Sequence, residues 1–271
     1  MFIKTISNSK HETFKQCQLK YKYKYVERLP EPEAANTDAL QFGSYIHKVL
    51  EDGVRCKTVA ELVEISNEVR GSYRINESYN GKELICFENF IKFNSQLEDV
   101  GETEAQFEVD LDLKGELTLN GIIDRVIKGK EGGYLIIDYK TSKREKTKVD
   151  LFMDSQLQGY VYAASKIYNV PFDKIVAAHF YPLTGNFVHV KYSVGQINKH
   201  VRKLIDDAWK IRKKKKDEFR ASRNEFCNWC AYKTACPEFN SPDNVEKVVC
   251  ELKEQKKRLN EEKKKSNASD K

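Results

Sequence analysis

The chain has 271 residues, 40% of them hydrophobic and 11% aromatic, so it can bury a sizeable core as one large domain or two small ones. Lys and Arg number 47 against 41 Asp and Glu, and this net charge of +6 excludes an acidic disordered chain and is compatible with a nucleic-acid partner. No apolar run approaches the roughly 20 residues that span a bilayer, and the N-terminus lacks the apolar segment of a secretory signal, so we expect a cytoplasmic protein with no membrane partner.

The first predicted element is a basic amphipathic helix over residues 10–28. Ser9 is the expected N-cap with Glu12 as its capping-box partner, and Pro30 and Pro32 follow the helix. Cations alternate here with aromatic rings, a pattern typical either of a solvated basic face or of a strip where cations meet phosphates and rings meet bases. The expected DNA-binding residues are Lys15, Lys20, Lys22, Lys24 and Arg28.

Two more helices are predicted before the periodicity changes. Between Phe42 and Leu50 apolar residues recur every three or four positions, which indicates a buried helix. His47 and Glu51 lie four residues apart and therefore share one face of it. A further helix is predicted from about Leu84 to Leu97.

Alternating apolar residues then predict a sheet with one crossover helix. The strands expected in chain order are 107–113, paired by a hairpin turn at Lys114–Gly115 with 117–119, then 121–127, 134–139, 175–181 and 187–192. The crossover helix is expected over about 155–168, and a long helix starting near Ile197 ends in the basic run 213–216. The pattern indicates an α/β fold.

Two strand ends bring carboxylates and a lysine together in this sheet. Asp138 and Lys140 are two residues apart at a strand end and so point to the same side, and Asp124 holds an equivalent place on the preceding strand. If the strands pair, two carboxylates and a lysine converge. Carboxylate oxygens are preferred ligands of Mg²⁺ and Mn²⁺, and such a metal beside a lysine suits phosphodiester hydrolysis. For the Asp-x-Lys pattern alone, a surface ion pair is the alternative.

Cysteines form a second constellation near the C-terminus. Cys227, Cys230 and Cys236 have the spacing C-x2-C-x5-C, and the isolated Cys17 is the expected fourth ligand of one metal centre. Zinc and a [4Fe–4S] cluster both accept four cysteines, so the spacing leaves the two open.

Four stretches in this order resemble the PD-(D/E)XK nuclease superfamily in its RecB-like branch, which includes bacterial recombination helicase–nucleases, CRISPR-associated RecB-like exonucleases and phage exonucleases. They are GSYIHKVLE (43–51), GIIDRV (121–126), IIDYKTSK (136–143) and QLQGY (156–160). The resemblance implies a restriction-endonuclease-like core, a central mixed β-sheet flanked by helices, with an N-terminal helical part and a C-terminal cysteine cluster. We therefore expect one nuclease domain over 1–249, with a helical insertion at about 52–100, and a charged, disordered tail over 250–271.

The same resemblance implies residue roles. His47, Asp124 and Asp138 would be associated with Mg²⁺ or Mn²⁺, and Lys140 would be catalytic. Gln156 and Tyr160 would belong to the catalytic set by helping to shape the site and contacting DNA. Glu104 would be an outer acidic member. In the branch's iron–sulfur subset one cysteine precedes the nuclease motifs and three follow, with a proline after the last, here Pro237; this favours a [4Fe–4S] cluster, with zinc as the alternative.

The expected function is a metal-dependent DNA nuclease, a single-strand exonuclease of DNA repair, recombination or phage DNA metabolism. Its partners would be DNA and a helicase or recombination protein, in the cytoplasm of a bacterial or phage-infected cell. The alternative is a nonenzymatic DNA-binding or assembly subunit with a degraded nuclease fold, against which the intact Asp124, Asp138 and Lys140 argue.

Overall fold

The computed structural model describes residues 4–32 and 38–269, which fall into two compact units. The sheet unit comprises Ile3–Asn8 and Thr37–Ala208. The cysteine unit comprises Met1–Phe2, Ser9–Asn36 and Trp209–Lys271. The single nuclease domain expected over 1–249 stays a prediction, and both units contain part of it.

The sheet unit is built on a mixed six-stranded sheet, as the α/β prediction required. Its order is β1-β3-β4-β5-β6, and β2 pairs with β3. The β1/β3 and β4/β5 pairs are parallel and the other pairs are antiparallel. The strands are β1 Thr5–Ile6, β2 Glu102–Asp110, β3 Thr118–Lys128, β4 Tyr134–Tyr139, β5 Ile175–Tyr181 and β6 Asn186–Val190. The two segments expected at 117–119 and 121–127 are therefore one continuous strand.

Helices connect and cover these strands. Those that precede β2 are α3 Asp38–Asp52, α4 Val59–Arg70 and α5 Lys82–Asn94. Those that follow β4 are α6 Lys148–Phe152, the crossover helix α7 Ser155–Tyr168, and α8 Val194–Lys213, whose last residues belong to the cysteine unit. Among residues 4–32 and 38–269, no helix is long and apolar enough to cross a membrane.

The sheet separates two apolar clusters because neighbouring residues of a strand face opposite sides. Ile136 belongs to one cluster with residues of α7 and α8, among them Val161 and Leu204. Ile137 belongs to the other with α3 and α5, where Ile46 and Phe90 are fully buried. The stripe predicted on α3 is buried throughout, which confirms that the 3.6-residue period there marks a core helix.

The cysteine unit begins with a helix that is interrupted where the sequence predicted continuity. Helix α1 spans Asn8–Gln16, starting one residue before the predicted N-cap, and α2 spans Gln18–Tyr21, followed by a π-helical turn over Lys22–Val26. Cys17 lies between them with extended backbone angles, φ −160° and ψ 116°. The side chain of Cys17 therefore does not follow the helical repeat of its neighbours.

The C-terminal segment also differs from the prediction. Helix α9 spans Pro242–Ser269, so residues 250–269 are helical and not a disordered tail, while 270–271 lie outside the described residues. Its first half is anchored, because Leu252 is buried in the small core of the cysteine unit and Lys256 Nζ donates to the Glu27 carbonyl at 2.5 Å. The high charge content of this segment predicted disorder because it gives no sign of these two contacts.

Candidate active site

One polar residue from each of four neighbouring strands forms a row across the sheet. Arg125 pairs with Ile137, so continuing the β3/β4 register by one residue brings Asp124 opposite Asp138. Asp138 in turn pairs with His179 of β5. On the other side Glu104 of β2 falls opposite Asp124, between two regular pairs of the β2/β3 ladder. The strand pairing predicted from sequence thus brings the two aspartates together.

Asp138 is buried and Asp124 is half-buried, and they lie close enough for Asp138 to affect the ionisation of Asp124. Burial, followed by the negative charge of Asp138, raises the pKa of Asp124 to about 8. The backbone N–H of Tyr139 donates to Asp124 Oδ2 at 2.7 Å and partly opposes this shift. Two carboxylates in such surroundings retain their charges best beside a cation.

Lys140 provides a cation at this position. Its Nζ lies 2.6 Å from Asp138 Oδ2 and donates to Gln156 Oε1 at 3.0 Å. Burial, the largest single cause, would lower the pKa of Lys140, but Asp138, Asp124 and Asp154 together outweigh it and the pKa is raised. Gln156 Nε2 also donates to the Tyr160 hydroxyl at 2.8 Å, so α7 holds the lysine through two of its predicted site residues.

His47 and Glu104 complete the set predicted from sequence. His47 Nδ1 lies 3.4 Å from Asp124 Oδ2, and burial lowers the pKa of His47 although the charge of Asp138 opposes this. Glu104 has a left-handed backbone with φ 49°, a conformation that costs free energy for a non-glycine residue. Burial, then the charge of Glu51, raises the pKa of Glu104, with Lys48 opposing.

Sequence reasoning missed a buried group behind Asp138. His179 Nε2 lies 3.5 Å from Asp138 Oδ2 and 3.8 Å from Asp154 Oδ2, and Asp154 pairs with Lys146 Nζ at 2.5 Å. The Tyr181 hydroxyl accepts a hydrogen bond from the Lys146 backbone N–H and lies 3.3 Å from His179 Nδ1. The Nε2 atom faces the two carboxylates without a hydrogen bond to either of them.

No pattern in the chain marks His179, because its strand reads as an ordinary apolar run. The pattern at the start of α7 was more informative. Asp154 is its N-cap and accepts from the backbone N–H groups of Gln156 and Leu157 at 2.9 and 3.0 Å. An aspartate two residues before Gln156 is a recognisable helix-start signal.

Two glycines of the matching stretches are explained by close packing. A Cβ on Gly43 of α3 would lie 2.9 Å from Thr141 Oγ1, next to Lys140 in the chain. A Cβ on Gly159 of α7 would lie 2.6 Å from Asn8 Nδ2. Gly43 thus allows the helix that carries His47 to lie close to the segment after β4, and Gly159 allows the helix that carries Tyr160 to lie close to Asn8, just after β1.

The four cysteines of the second constellation line one cavity within the cysteine unit. Burial, then the nearby Cys17 and Cys230 thiols, raises the pKa of Cys236, and the backbone N–H of Cys236 donates to the Lys233 carbonyl at 3.2 Å. Cys86 is buried in the sheet unit, while Cys56 and Cys250 do not line this cavity. The predicted ligand set is therefore together in space.

Several predicted DNA-binding cations are engaged in ion pairs. Lys15 Nζ lies 2.8 Å from Glu12, Lys22 3.4 Å from Glu27, and Lys24 2.5 Å from Glu31. Lys20 Nζ donates to the Gln16 side chain at 3.0 Å. The stretch is thus less positive than its lysines alone suggest.

The carboxylates and the cysteines are of the residue types that the expected metals bind, but neither group is arranged as a complete coordination shell. Across residues 4–32 and 38–269, no three His, Cys, Asp or Glu side chains are arranged as a ready metal site. Mg²⁺ needs no such group, because it binds through one or two carboxylates and completes its shell with water and substrate phosphates. Despite the nearby Lys140, Asp138 Oδ2 is buried and no described donor meets it in a hydrogen-bonding direction. Such an oxygen suits a cation.

Comparison with known proteins gives a consistent result. The family model of the PD-(D/E)XK nuclease superfamily matches residues 5–237. The match contains every residue of the candidate site.

Two similar relatives are each named as one subunit of an ATP-dependent helicase/deoxyribonuclease. The protein of Streptococcus uberis is 28% identical over 153 residues, covering 51% of this chain and 14% of the relative. That of Streptococcus agalactiae serotype V is 26% identical over 181 residues, covering 59% and 16%. The chain therefore spans only a small part of the length of the curated relatives it matches.

A solved structure supports the fold. A protein from Eubacterium rectale, named only provisionally as an exonuclease, superposes with a TM-score of 0.52 at 14% identity, covering 84% of this chain and 88% of that one. At this identity the similarity concerns the arrangement of helices and strands alone.

Proposed function

Because the chain belongs to the PD-(D/E)XK nuclease superfamily, we propose that it is a divalent-metal-dependent deoxyribonuclease. The observation that carries this proposal is the convergence of Asp124, Asp138 and Lys140 from two paired strands on one buried point. Mg²⁺ or Mn²⁺ held by the two aspartates would polarise the phosphodiester and generate hydroxide from water at neutral pH. His47 lies beside the Asp124 carboxylate, and it is neutral because burial lowers its pKa.

The protein's own groups have distinct roles in this proposal. The raised pKa of Lys140 keeps it a cation, so it stabilises negative charge that develops on the phosphoryl oxygens and does not act as a base. Gln156 fixes the direction of the lysine and is itself held by Tyr160. Asp138 and Tyr160 are buried, and charge interactions are stronger where water is excluded.

The finer proposal is an exonuclease acting on single-stranded ends, with a helicase or recombination protein as partner, in bacterial or phage DNA metabolism in the cytoplasm. Its support is the name of the relatives, which combines helicase and deoxyribonuclease, and the order of the four stretches. End-labelled DNA tests it, because an exonuclease releases label in mononucleotides or short products without internal fragments.

The catalytic part is tested with single-stranded DNA and Mn²⁺. Lys140→Ala and Asp138→Asn should each reduce cleavage by about 100-fold or more, the usual loss when a group that stabilises the transition state is removed. Lys143→Ala, an exposed lysine three residues from Lys140, is the matched control and should cleave normally. Near-normal cleavage by Lys140→Ala would contradict the assignment. A parent chain that binds DNA but never cuts it would indicate the nonenzymatic subunit.

We further propose that Cys17, Cys227, Cys230 and Cys236 hold a structural [4Fe–4S] cluster, with zinc as the alternative. The support is their common cavity in a unit with a small apolar core. Such a centre stabilises the folded state, because the unfolded chain has no formed site. Elemental analysis of anaerobically purified protein should find iron, and Cys17→Ser should lose it while Cys250→Ser keeps it. About one zinc and no iron per chain would overturn the cluster.

A further inference from the structure

Three large aromatic side chains of the cysteine unit are exposed to solvent. Phe226, Trp229 and Phe239 are 50%, 70% and 40% exposed. Phe226 and Trp229 belong to the 3₁₀ turn Glu225–Trp229, where side chains three residues apart eclipse and therefore share one face. Phe226 and Phe239 line the same cavity. Aromatic rings of this size are normally among the most buried side chains, so a group of exposed ones indicates a binding surface.

Cations accompany these rings. Lys20, Arg223 and Lys233 line the same cavity. Arg223 lies 4.8 Å and Lys233 5.1 Å from the centroid of the Phe239 ring. Arg223 is paired with Glu238 at 3.3 Å, whereas the ammonium groups of Lys20 and Lys233 contact side-chain amide oxygens at 3.0 and 3.2 Å. The two lysines thus retain their charge for an anion.

The overall charge of the unit identifies the kind of partner. The cysteine unit has 24 Lys and Arg against 15 Asp and Glu, a net charge of +9, whereas the sheet unit has 23 against 26, a net charge of −3. A polyanion is therefore attracted to the unit that also exposes the rings. Planar bases on a phosphate backbone match both features, while an apolar protein surface would match only one.

We propose that Phe226, Trp229 and Phe239 form a stacking surface for the unpaired bases of single-stranded DNA, with Lys20 and Lys233 holding its phosphates. This deepens the proposed function and depends on it only for the choice of DNA as the nucleic acid. Stacking of a base on an aromatic ring is sequence-tolerant, because every base has a π-face. The surface would therefore select unpaired over paired ends without reading sequence.

The test measures binding of a fluorescently labelled oligothymidylate and of a blunt duplex by fluorescence anisotropy. The full chain with Asp138→Asn is used without divalent metal, so that nothing is cut. Trp229→Ala should weaken oligothymidylate binding by about tenfold or more and duplex binding by clearly less, because only unpaired bases stack. Trp229→Phe should retain most of the affinity. Met153→Ala, 81% exposed in the sheet unit, is the control and should change neither.

Three results would overturn the stacking surface. One is unchanged oligothymidylate binding in both Trp229→Ala and Phe226→Ala, and another is an equal loss for oligothymidylate and duplex. A change of oligomeric state in these variants with normal DNA binding would assign the rings to a protein interface and also overturn it. Thermal melting and metal content of Trp229→Ala identify a variant that is simply misfolded, in which case the same comparison is made with Phe226→Ala.

These experiments distinguish failure of the stacking surface from failure of the proposed nuclease activity. If Trp229→Ala loses oligothymidylate binding but the parent cuts no DNA with Mn²⁺, the stacking surface stands and the nuclease fails. If the parent cuts DNA and Trp229→Ala binds and cuts as the parent does, the nuclease stands and the stacking surface fails.

Discussion

The two units of the protein differ in charge, in core and in what holds them together. The sheet unit has a net charge of −3 and buries two large apolar clusters on opposite faces of its sheet. The cysteine unit has a net charge of +9 and buries a single small cluster, whose neighbours include Cys17, Cys230 and Cys236. Ordinary hydrophobic burial can stabilise the first, whereas the second needs a further constraint. Chemistry and substrate affinity are thus expected to reside in different units.

The largest expected effect is that of Asp124→Asn in the sheet unit. It should reduce cleavage by about 100-fold or more, because a carboxylate donor is lost. The metal-free variant should nevertheless be more stable than the parent at alkaline pH. The pKa of Asp124 is raised from 3.8 to about 8 in the folded state, so the folded parent binds the extra proton and loses stability as pH rises from about 4 to about 8.

Thermal melting across this pH range measures the stability difference. The parent and Asp124→Asn should melt alike near pH 4 and diverge toward pH 8, by an amount on the order of 1 kcal/mol or more, since a tenfold change in proton affinity corresponds to about 1.4 kcal/mol. Near pH 8, added Mn²⁺ should raise the melting temperature of the parent but leave that of the variant unchanged. Glu131→Gln, an exposed carboxylate at the β3–β4 turn, is the control. A parallel pH dependence of parent and variant would contradict the burial argument.

The next effect should separate the two units. Cys17→Ser, or removal of the metal from the parent, should expose the cysteine unit to protease while the sheet unit stays resistant. The physical reason is the small core of the cysteine unit and the long loop closed between Cys17 and the late cysteines. Limited proteolysis followed by mass spectrometry gives the boundaries, and DNA affinity should fall in parallel. Simultaneous digestion of both units would show that they unfold as one.

A smaller effect is expected from the group behind the active site. His179→Ala removes the buried imidazole that lies against Asp138 and Asp154, so the metal-binding carboxylate loses a neighbour that restricts its rotation. Activity at saturating Mn²⁺ should fall about tenfold, and half-activation should need more metal. His179→Gln, which restores a polar side chain of similar reach at this position, should recover part of both. The exposed His189 of β6 is the matched control, and an unchanged Mn²⁺ curve in His179→Ala would remove this role.

The smallest effect concerns the basic strip of the N-terminal segment. Because Lys22 and Lys24 are paired with Glu27 and Glu31, charge reversal at both should weaken DNA binding only a few-fold, alike for all sequences. The salt dependence of binding should become slightly less steep. Lys130→Glu in the sheet unit, an exposed lysine paired with Glu98, is the control. A loss as large as that of Trp229→Ala would move the main DNA contact to this strip.

Much of the sheet unit was accessible from sequence because its signals are local. Alternating and continuous apolar runs predicted β2, β3 and β4. The spacing of Asp138 and Lys140 predicted that they share a side, and in the structure Lys140 Nζ lies 2.6 Å from Asp138 Oδ2. The glycines and the QLQGY stretch on α7 were recognised by resemblance, and their packing explains why those residue types occur there. His179 was missed because a buried histidine in an apolar strand has no periodic or spacing signal.

The cysteine unit was less accessible because its structure depends on contacts between distant parts of the chain. The helix expected over 10–28 is broken at Cys17, next to residues that pack with Tyr232 and Ala235. The tail expected to be disordered is helical to Ser269, and it is anchored by Leu252 and by Lys256 on Glu27. Local composition reports the charges of such segments and not the partners they meet.

By itself, the sequence determined the class of fold and predicted that Asp138 and Lys140 share a side, that Asp124 joins them and that four cysteines form one set, since each follows from periodicity, spacing or the order of motifs. Only the tertiary structure decided that the chain ends form a unit of their own, that Glu104, Asp124, Asp138 and His179 stand in one row across four strands, and that aromatic rings are exposed around the cysteine cavity. The physical reason is that register between strands and burial of side chains are set by the packing of residues far apart in the chain, which no local pattern records.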